Sequence, residues 1–183
     1  MKGIHNMNVI IKRSILFTAA ILLLLCTFGC SVSGPSYENN PSYSHLFVDT
    51  DDAAAKELKN QIIAQLIAYN DGDAEGYYAL FNMAKEDLNF NVAQFNAMRQ
   101  TVNMTYTPES IQTAFINEDN AQALITMTCR GDDKSTGEVL YYYRTAMTYT
   151  MVRDGKWTVT LQTPGHEEDL MYTLSEGTEP VTQ

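Results

Sequence analysis

At Val102 the spacing of apolar residues changes, and that change constrains the fold of this 183-residue chain more than any motif does. Before it, Ala55, Leu58, Ile62, Leu66 and Tyr69 recur at intervals of three and four, which puts side chains on one face of a helix. After it, apolar and polar residues alternate and β-branched and aromatic types dominate, the period-two pattern of half-buried strands. A run of one-sided strands has one apolar face to bury, and the preceding helices are the elements able to cover it.

The first helix begins near Asp49, where Asp49 or Thr50 can cap and Asp51 and Asp52 favour the positive end of the dipole. Lys56, Lys59 and Gln65 fall off its apolar stripe, and Asn70-Asp71-Gly72 ends it. Asp73 can cap a shorter helix carrying Tyr77, Leu80 and Phe81, and a third pattern runs through Leu88, Val92, Phe95, Met98 or Arg99, and Val102. Four strands follow at about 103 to 117, 121 to 131, 138 to 152 and 156 to 163, joined by turns short enough for an antiparallel meander. Pro108 in the first demands an edge position or a bulge. In the last hairpin, a loop Arg153-Asp154-Gly155 with Gly155 left-handed pairs Trp157, Val159 and Leu161 with Met151, Tyr149 and Met147. Tyr143 and Tyr141 extend that face, while Arg144, Thr148, Thr150, Thr158, Thr160 and Gln162 occupy the other.

The run from Gln65 to Phe81, Gln-Leu-Ile-Ala-Tyr-Asn-Asp-Gly-Asp-Ala-Glu-Gly-Tyr-Tyr-Ala-Leu-Phe, resembles the first helical hairpin of the nuclear transport factor 2-like superfamily, and Asp154-Gly155-Lys156-Trp157 with Val159 resembles its final hairpin. The resemblance spans about residues 51 to 163. It is similar above all to small bacterial lipoproteins with domains of this type, alongside the ketosteroid isomerase and SnoaL-like members. It implies an α+β fold in which helices pack on a curved antiparallel four-stranded meander, a cone-shaped, cystatin-like roll with a pocket between sheet and helices. It implies no single activity.

The start of the chain carries an address. Residues 1 to 13 bear Lys2, Lys12 and Arg13 and no acidic residue, and fourteen uncharged residues follow from Ile15 to Phe28. That is the layout of an export signal, and as a helix the apolar run would span roughly 21 Å, short of a ~30 Å hydrocarbon core. Thr27-Phe28-Gly29-Cys30 resembles the lipobox of bacterial lipoproteins, in which a small residue precedes a cysteine that is acylated and becomes the new N-terminus. Gly29 and Cys30 fit the motif; Thr27 and Phe28 depart from it, and an ordinary cleaved secretory signal is the alternative. Cleavage before Cys30 takes three of the 12 basic residues, leaving 9 against 22 acidic ones and moving the net charge from -10 to -13. An exported product this acidic is unsuited to nucleic acid.

The expected organisation is therefore a lipoprotein signal peptide at 1–29, lipidated Cys30 and a flexible tether at 30–50, the α+β domain at 51–174 and a disordered tail at 175–183. The tether reading rests on Ser, Asn, Pro and Gly from Ser31 to His45, which bury too little to order themselves. Lone Cys129, in an apolar strand, reads as a small core residue.

Chemistry is sparse. The segment Asp71 to Gly76 starts like a calcium loop, but Asn82 stands at the twelfth position where a bidentate Glu is required. His166-Glu167-Glu168-Asp169 reads as a solvated acidic helix start rather than a metal site, and Glu109 is the one carboxylate inside the strands away from their turns. No buried acid–base pair is evident, and no catalytic residue, metal or cofactor is assigned. Candidate pocket-lining residues are Tyr69, Tyr77, Phe81, Met127, Tyr143, Met147, Tyr149, Met151, Trp157 and Val159. The expected protein is a non-catalytic binding or interaction module, held by an N-terminal lipid on the outer face of the bacterial cytoplasmic membrane, or on an outer membrane where the host has one. Its partners would be the membrane, a small apolar ligand, and a second copy or an envelope protein. A small isomerase, dehydratase or cyclase using Tyr143 or Tyr149 with a helix carboxylate is the rival.

Overall fold

The computed structural model describes residues 35–48 and 50–175, so the export signal, Cys30, Asp49 as a cap and the tail beyond 175 lie outside the described residues. A 3-10 turn, Ser44–Phe47, leads into helices α1 (Ala53–Asp71), α2 (Ala74–Tyr78) and α3 (Lys85–Thr101). Strands β1 (Val102–Asn117), β2 (Asn120–Asp133), β3 (Val139–Asp154) and β4 (Lys156–Asp169) follow, with a closing turn of helix, α4 (Met171–Ser175). The sheet is an antiparallel meander in the order β1-β2-β3-β4, and the change of period at Val102 is the point where α3 passes into β1.

Local chemistry explains the helix ends. Asp52, not Asp49 or Thr50, caps α1: its Oδ1 accepts the Ala55 N–H at 2.8 Å. Gly72 ends α1 at φ 78°, a left-handed position that a side chain would strain, and Asp73 restarts the chain by accepting the Gly76 N–H at 2.9 Å. α2 stops at Tyr78, before Leu80 and Phe81. Those two instead run beside β4, where Val159 N–H donates to the Leu80 carbonyl at 2.8 Å. In α3 only Phe95 is buried, so the broad stripe expected there narrows to one anchor.

α1 lies across the inner face of the sheet with Leu58, Ile62, Ile63 and Leu66 wholly buried. Opposite them Ala121, Ala123, Ile125, Met127 and Cys129 alternate inward along β2. Small residues at 121 and 123 leave room for the large rings of β3 and β4, Tyr149 and Trp157, which are almost fully enclosed. β1 is an edge strand, and its register shifts between Pro108 and Ser110, so the proline sits where no ladder donor is needed. At the other end of α1, the Asn70 side chain pairs with β1 like a strand residue. Its Nδ2 donates to the Tyr106 carbonyl at 2.8 Å and its Oδ1 accepts the Tyr106 N–H at 2.7 Å. Replacing Asn70 by Ala leaves both backbone groups of Tyr106 without that partner, and a loss of about 1–3 kcal/mol is expected in urea unfolding. A midpoint unchanged from the parent would show that the clamp contributes nothing.

Four expectations need correction. Lys59 and Gln65, off the apolar stripe, are both buried, at 1% and 2% exposure. The reason lies outside the helix: β3 brings Tyr149 beside Gln65, and residues 35–48, expected as tether, pack beside Lys59. Leu46 and Phe47 join the core, and Lys59 Nζ donates to the Leu46 carbonyl at 2.6 Å. The last hairpin does have Gly155 left-handed, at φ 71°, and Trp157, Val159, Met151 and Tyr149 do share the inner face. Its pairing, however, is Met151 with Val159 and Arg153 with Trp157, and a register shift beyond Thr150 turns Leu161 outward to 58% exposure and puts Gln162 opposite Tyr149. Finally, His166 to Asp169 are not a helix start; they continue β4, pairing Glu167, Glu168 and Asp169 with Thr145, Arg144 and Tyr143.

Candidate functional site

The space between α1 and the sheet is where a chain of this architecture would hold a ligand or a reacting group. The ten candidate lining residues all reach it, in two adjoining clusters. Met127, Tyr149, Met151, Trp157 and Val159 are buried in the larger one, with Phe81, Tyr143 and Met147 packed against it. Tyr69 and Tyr77 belong to the smaller one with Phe95 and Met104, and Phe81 touches both.

Rings occupy that space in direct contact. Tyr69 stacks on Tyr106 at 3.8 Å between centroids and 5° between planes, and meets Tyr77 at 5.1 Å and Phe95 at 5.3 Å edge to face. Tyr77 continues to Phe81 at 5.7 Å, and Phe81 to Tyr149 at 6.0 Å, so the rings form a continuous chain from α3 to β3. The Arg99 guanidinium lies 5.1 Å over Tyr69 and 5.4 Å over Phe95, and donates to the carbonyls of Tyr69 and Asn70 at the end of α1. Tyr106, Phe95 and Arg99 are not among the lining residues expected from the sequence. The alternation of Met104 and Tyr106 with Thr105 and Thr107 is the signal that could have found the first of them.

Burial dominates the electrostatics. It pushes the Tyr69 phenol up to about 12 and raises those of Tyr77, Tyr106, Tyr143 and Tyr149 as well, because a phenolate there would be stripped of water. Burial likewise raises the Cys129 thiol, to about 11, so this cysteine is a poor nucleophile in the folded protein. These phenols can donate a hydrogen bond at neutral pH, but they cannot take up a proton as bases. The Tyr69 hydroxyl is already spent on Met104 Sδ at 3.2 Å.

An acid–base enzyme would need a carboxylate or histidine facing this interior. Among the described residues the buried polar side chains are Lys59, Gln65 and Thr145, with no carboxylate among them. At the centre of α1 the group beside the Tyr149 phenol is the amide of Gln65, neither end of which makes an aligned hydrogen bond. Glu57, a carboxylate of α1, pairs with Arg153 at 2.9 Å. Glu109 is on the outer face, where Arg144 Nε lies 3.0 Å from it and Arg144 Nη1 reaches Glu168 at 2.9 Å. Tyr143 faces the Cys129 thiol, with exposed Glu167 further off. Asp73 caps α2, and no group of three or more metal-capable side chains occurs among the described residues. Outside the interior, a shallow hollow of about 230 Å³ lies between the 3-10 turn and β1, lined by His45, Leu46, Val48, Ser110, Ile111 and Gln112.

A scan against protein-family models finds no match for the sequence, and a search of curated proteins finds none either. Solved structures do match. A domain of unknown function with a cystatin-like fold from Nostoc punctiforme superposes with a TM-score of 0.50 at 16% identity, over 70% of this chain and 86% of that one. The fold is cystatin-like. Aln2 from a Streptomyces species matches the same roll with a TM-score of 0.52 at 12% identity, over 69% of this chain and 98% of its own. A putative calcium/calmodulin dependent protein kinase II association domain from Xanthomonas campestris matches with 0.50 at 16%, over 66% and 90%. The cystatin-like roll is thus the one the nuclear transport factor 2-like resemblance implied, and at such identities the likeness reaches the fold and stops there.

Proposed function

We propose that this chain is an exported, lipid-anchored interaction module without catalytic activity of its own. The observation that carries the reading is the ring-filled interior: where a pocket enzyme of this roll would set an acid or base, α1 presents Gln65, and Tyr69, Tyr77, Phe81, Phe95 and Tyr149 pack one against the next. Binding then falls to the surface. The outer sheet face offers Leu124 and Leu161, 38% and 58% exposed, across from Thr148 and Thr150, a flat apolar and hydroxyl-rich patch suited to a second copy or another envelope protein. The address at Cys30 puts the module on the outer face of the cytoplasmic membrane, with Ser31 compatible with sorting to an outer membrane.

The test has two parts. Metabolic labelling with an alkyne fatty acid should mark the wild-type chain and not a Cys30→Ala variant; label persisting in the variant removes the anchor. Native mass spectrometry after mild extraction should then show a defined dimer or protein complex with no small-molecule adduct. The Gln65 amide, buried beside the Tyr149 phenol without an aligned hydrogen bond, supports a second reading, in which the interior admits one compact neutral ligand. An adduct that disappears in Gln65→Leu would favour that reading over the first.

A further inference from the structure

Residues 35–48 are fastened to the domain along their length. Asn60 Oδ1 accepts the Tyr37 N–H at 2.8 Å, Glu38 pairs with Lys56 at 2.7 Å, and the Leu46 carbonyl accepts from Lys59. Tyr37 and Tyr43 close edge to face at 5.7 Å over the core, and His45 Nε2 lies 3.4 Å from the Pro108 carbonyl of β1. A segment whose composition suits a coil is therefore a strap, held by one helix and one strand edge.

We infer that this strap seats the domain directly on a lipid bilayer, with the strap side toward the headgroups. The inference rests on the lipid anchor proposed at Cys30. Between Cys30 and Pro35 there are five peptide links, which span at most roughly 18 Å when fully extended. A twenty-residue coil would instead have roughly 25 Å of root-mean-square reach and leave the domain free to turn. A domain of this length has a radius of gyration of about 14 Å and so a width of roughly 35 Å, which the short link cannot carry around. The side on which Pro35 emerges is the side that meets the lipid.

Charge agrees with that orientation. The mature chain carries a net -13, which anionic headgroups repel, yet Glu38 is the one acidic residue in 35–48 and pairs with Lys56; the other acidic groups beside the strap are Asp51, which also acts on Lys56, and Asp71, near Tyr43. The residues that project from the strap, among them Ser36, Asn39, Asn40, Pro41, Ser42 and Ser44, are uncharged. The acidic run Glu167, Glu168 and Asp169 lies on β4, the sheet edge opposite the β1 edge that the strap touches.

The experiment uses the membrane-extracted full protein in vesicles of phosphatidylcholine and phosphatidylglycerol carrying a headgroup nitroxide quencher. A fluorophore is placed at Ser42→Cys or at Thr163→Cys, buried Cys129 being inaccessible to the label. Quenching at position 42 is expected to exceed that at 163 at least threefold. A ten-residue Gly/Ser insertion after Gly34 should bring the two within about 1.5-fold. Equal quenching in the parent, or an insertion without effect, overturns the seat while an acylated Cys30, read by mass in the same sample, leaves the anchor standing. An unacylated Cys30 overturns both.

Discussion

Tyr69→Ala should destabilise the protein by about 3–5 kcal/mol, a large fraction of the roughly 5–15 kcal/mol typical of a domain, and drop the thermal midpoint sharply. Tyr69 stacks on Tyr106, meets Tyr77 and Phe95 edge to face, and supports the Arg99 guanidinium, so its removal opens a cavity that four neighbours cannot close by small shifts. Tyr69→Phe keeps the ring and loses the hydroxyl's contacts to Met104 Sδ and to the Tyr106 phenol; about 0.5–1.5 kcal/mol is expected. The pair of variants, compared by urea unfolding, reads the state of the interior directly. An Ala variant within about 1 kcal/mol of the parent would mean that Tyr69 borders open space, and the reading of a filled module would fall with it.

A second large effect is expected at alkaline pH. Burial holds the folded-state pKa of Tyr69 at about 12, above the ordinary value of 10.0, and raises those of Tyr77, Tyr106, Tyr143 and Tyr149 as well. Below the ordinary value neither folded nor unfolded chain ionises, so the stabilisation is fully present. As pH rises from 10 toward 12 the unfolded chain releases these protons and the folded chain does not, so stability falls across that window. Cys129, at about 11 against 9.0, starts the decline slightly earlier in the same direction. Phenolate absorbance from the buried set should therefore rise in one cooperative step together with the loss of circular dichroism. Independent titration of these tyrosines near 10 with the fold intact would show that their rings are wetted.

Much of the architecture was legible because it depends on periodicity and end chemistry. The switch at Val102, the helix end at Gly72, the left-handed Gly155 and the Asp73 cap each follow from interactions within a few residues. The chemistry of the interior was legible in its residue types, since the tyrosines and methionines lie on the predicted faces. Gln65 was not, because the helical stripe counts apolar residues and cannot say that an amide will be enclosed once a neighbouring strand brings Tyr149 over it.

Local spacing encodes the order of the three main helices and four strands and which sheet face is apolar, and the address proposed at Cys30 rests on local spacing too. Long-range packing settled three other matters. It packed Tyr69, Tyr106, Phe95 and Arg99 together from α1, β1 and α3, whose meeting is a long-range event with no local signal. It turned Leu161 outward, because an extra residue in one strand of a ladder reverses every side chain beyond it. It also converted a Ser-, Asn- and Pro-rich segment into a docked strap: composition reports what a segment can bury by itself, whereas Leu46, Phe47 and the Tyr37–Tyr43 pair bury themselves on a surface that exists only after α1 and β1 have folded.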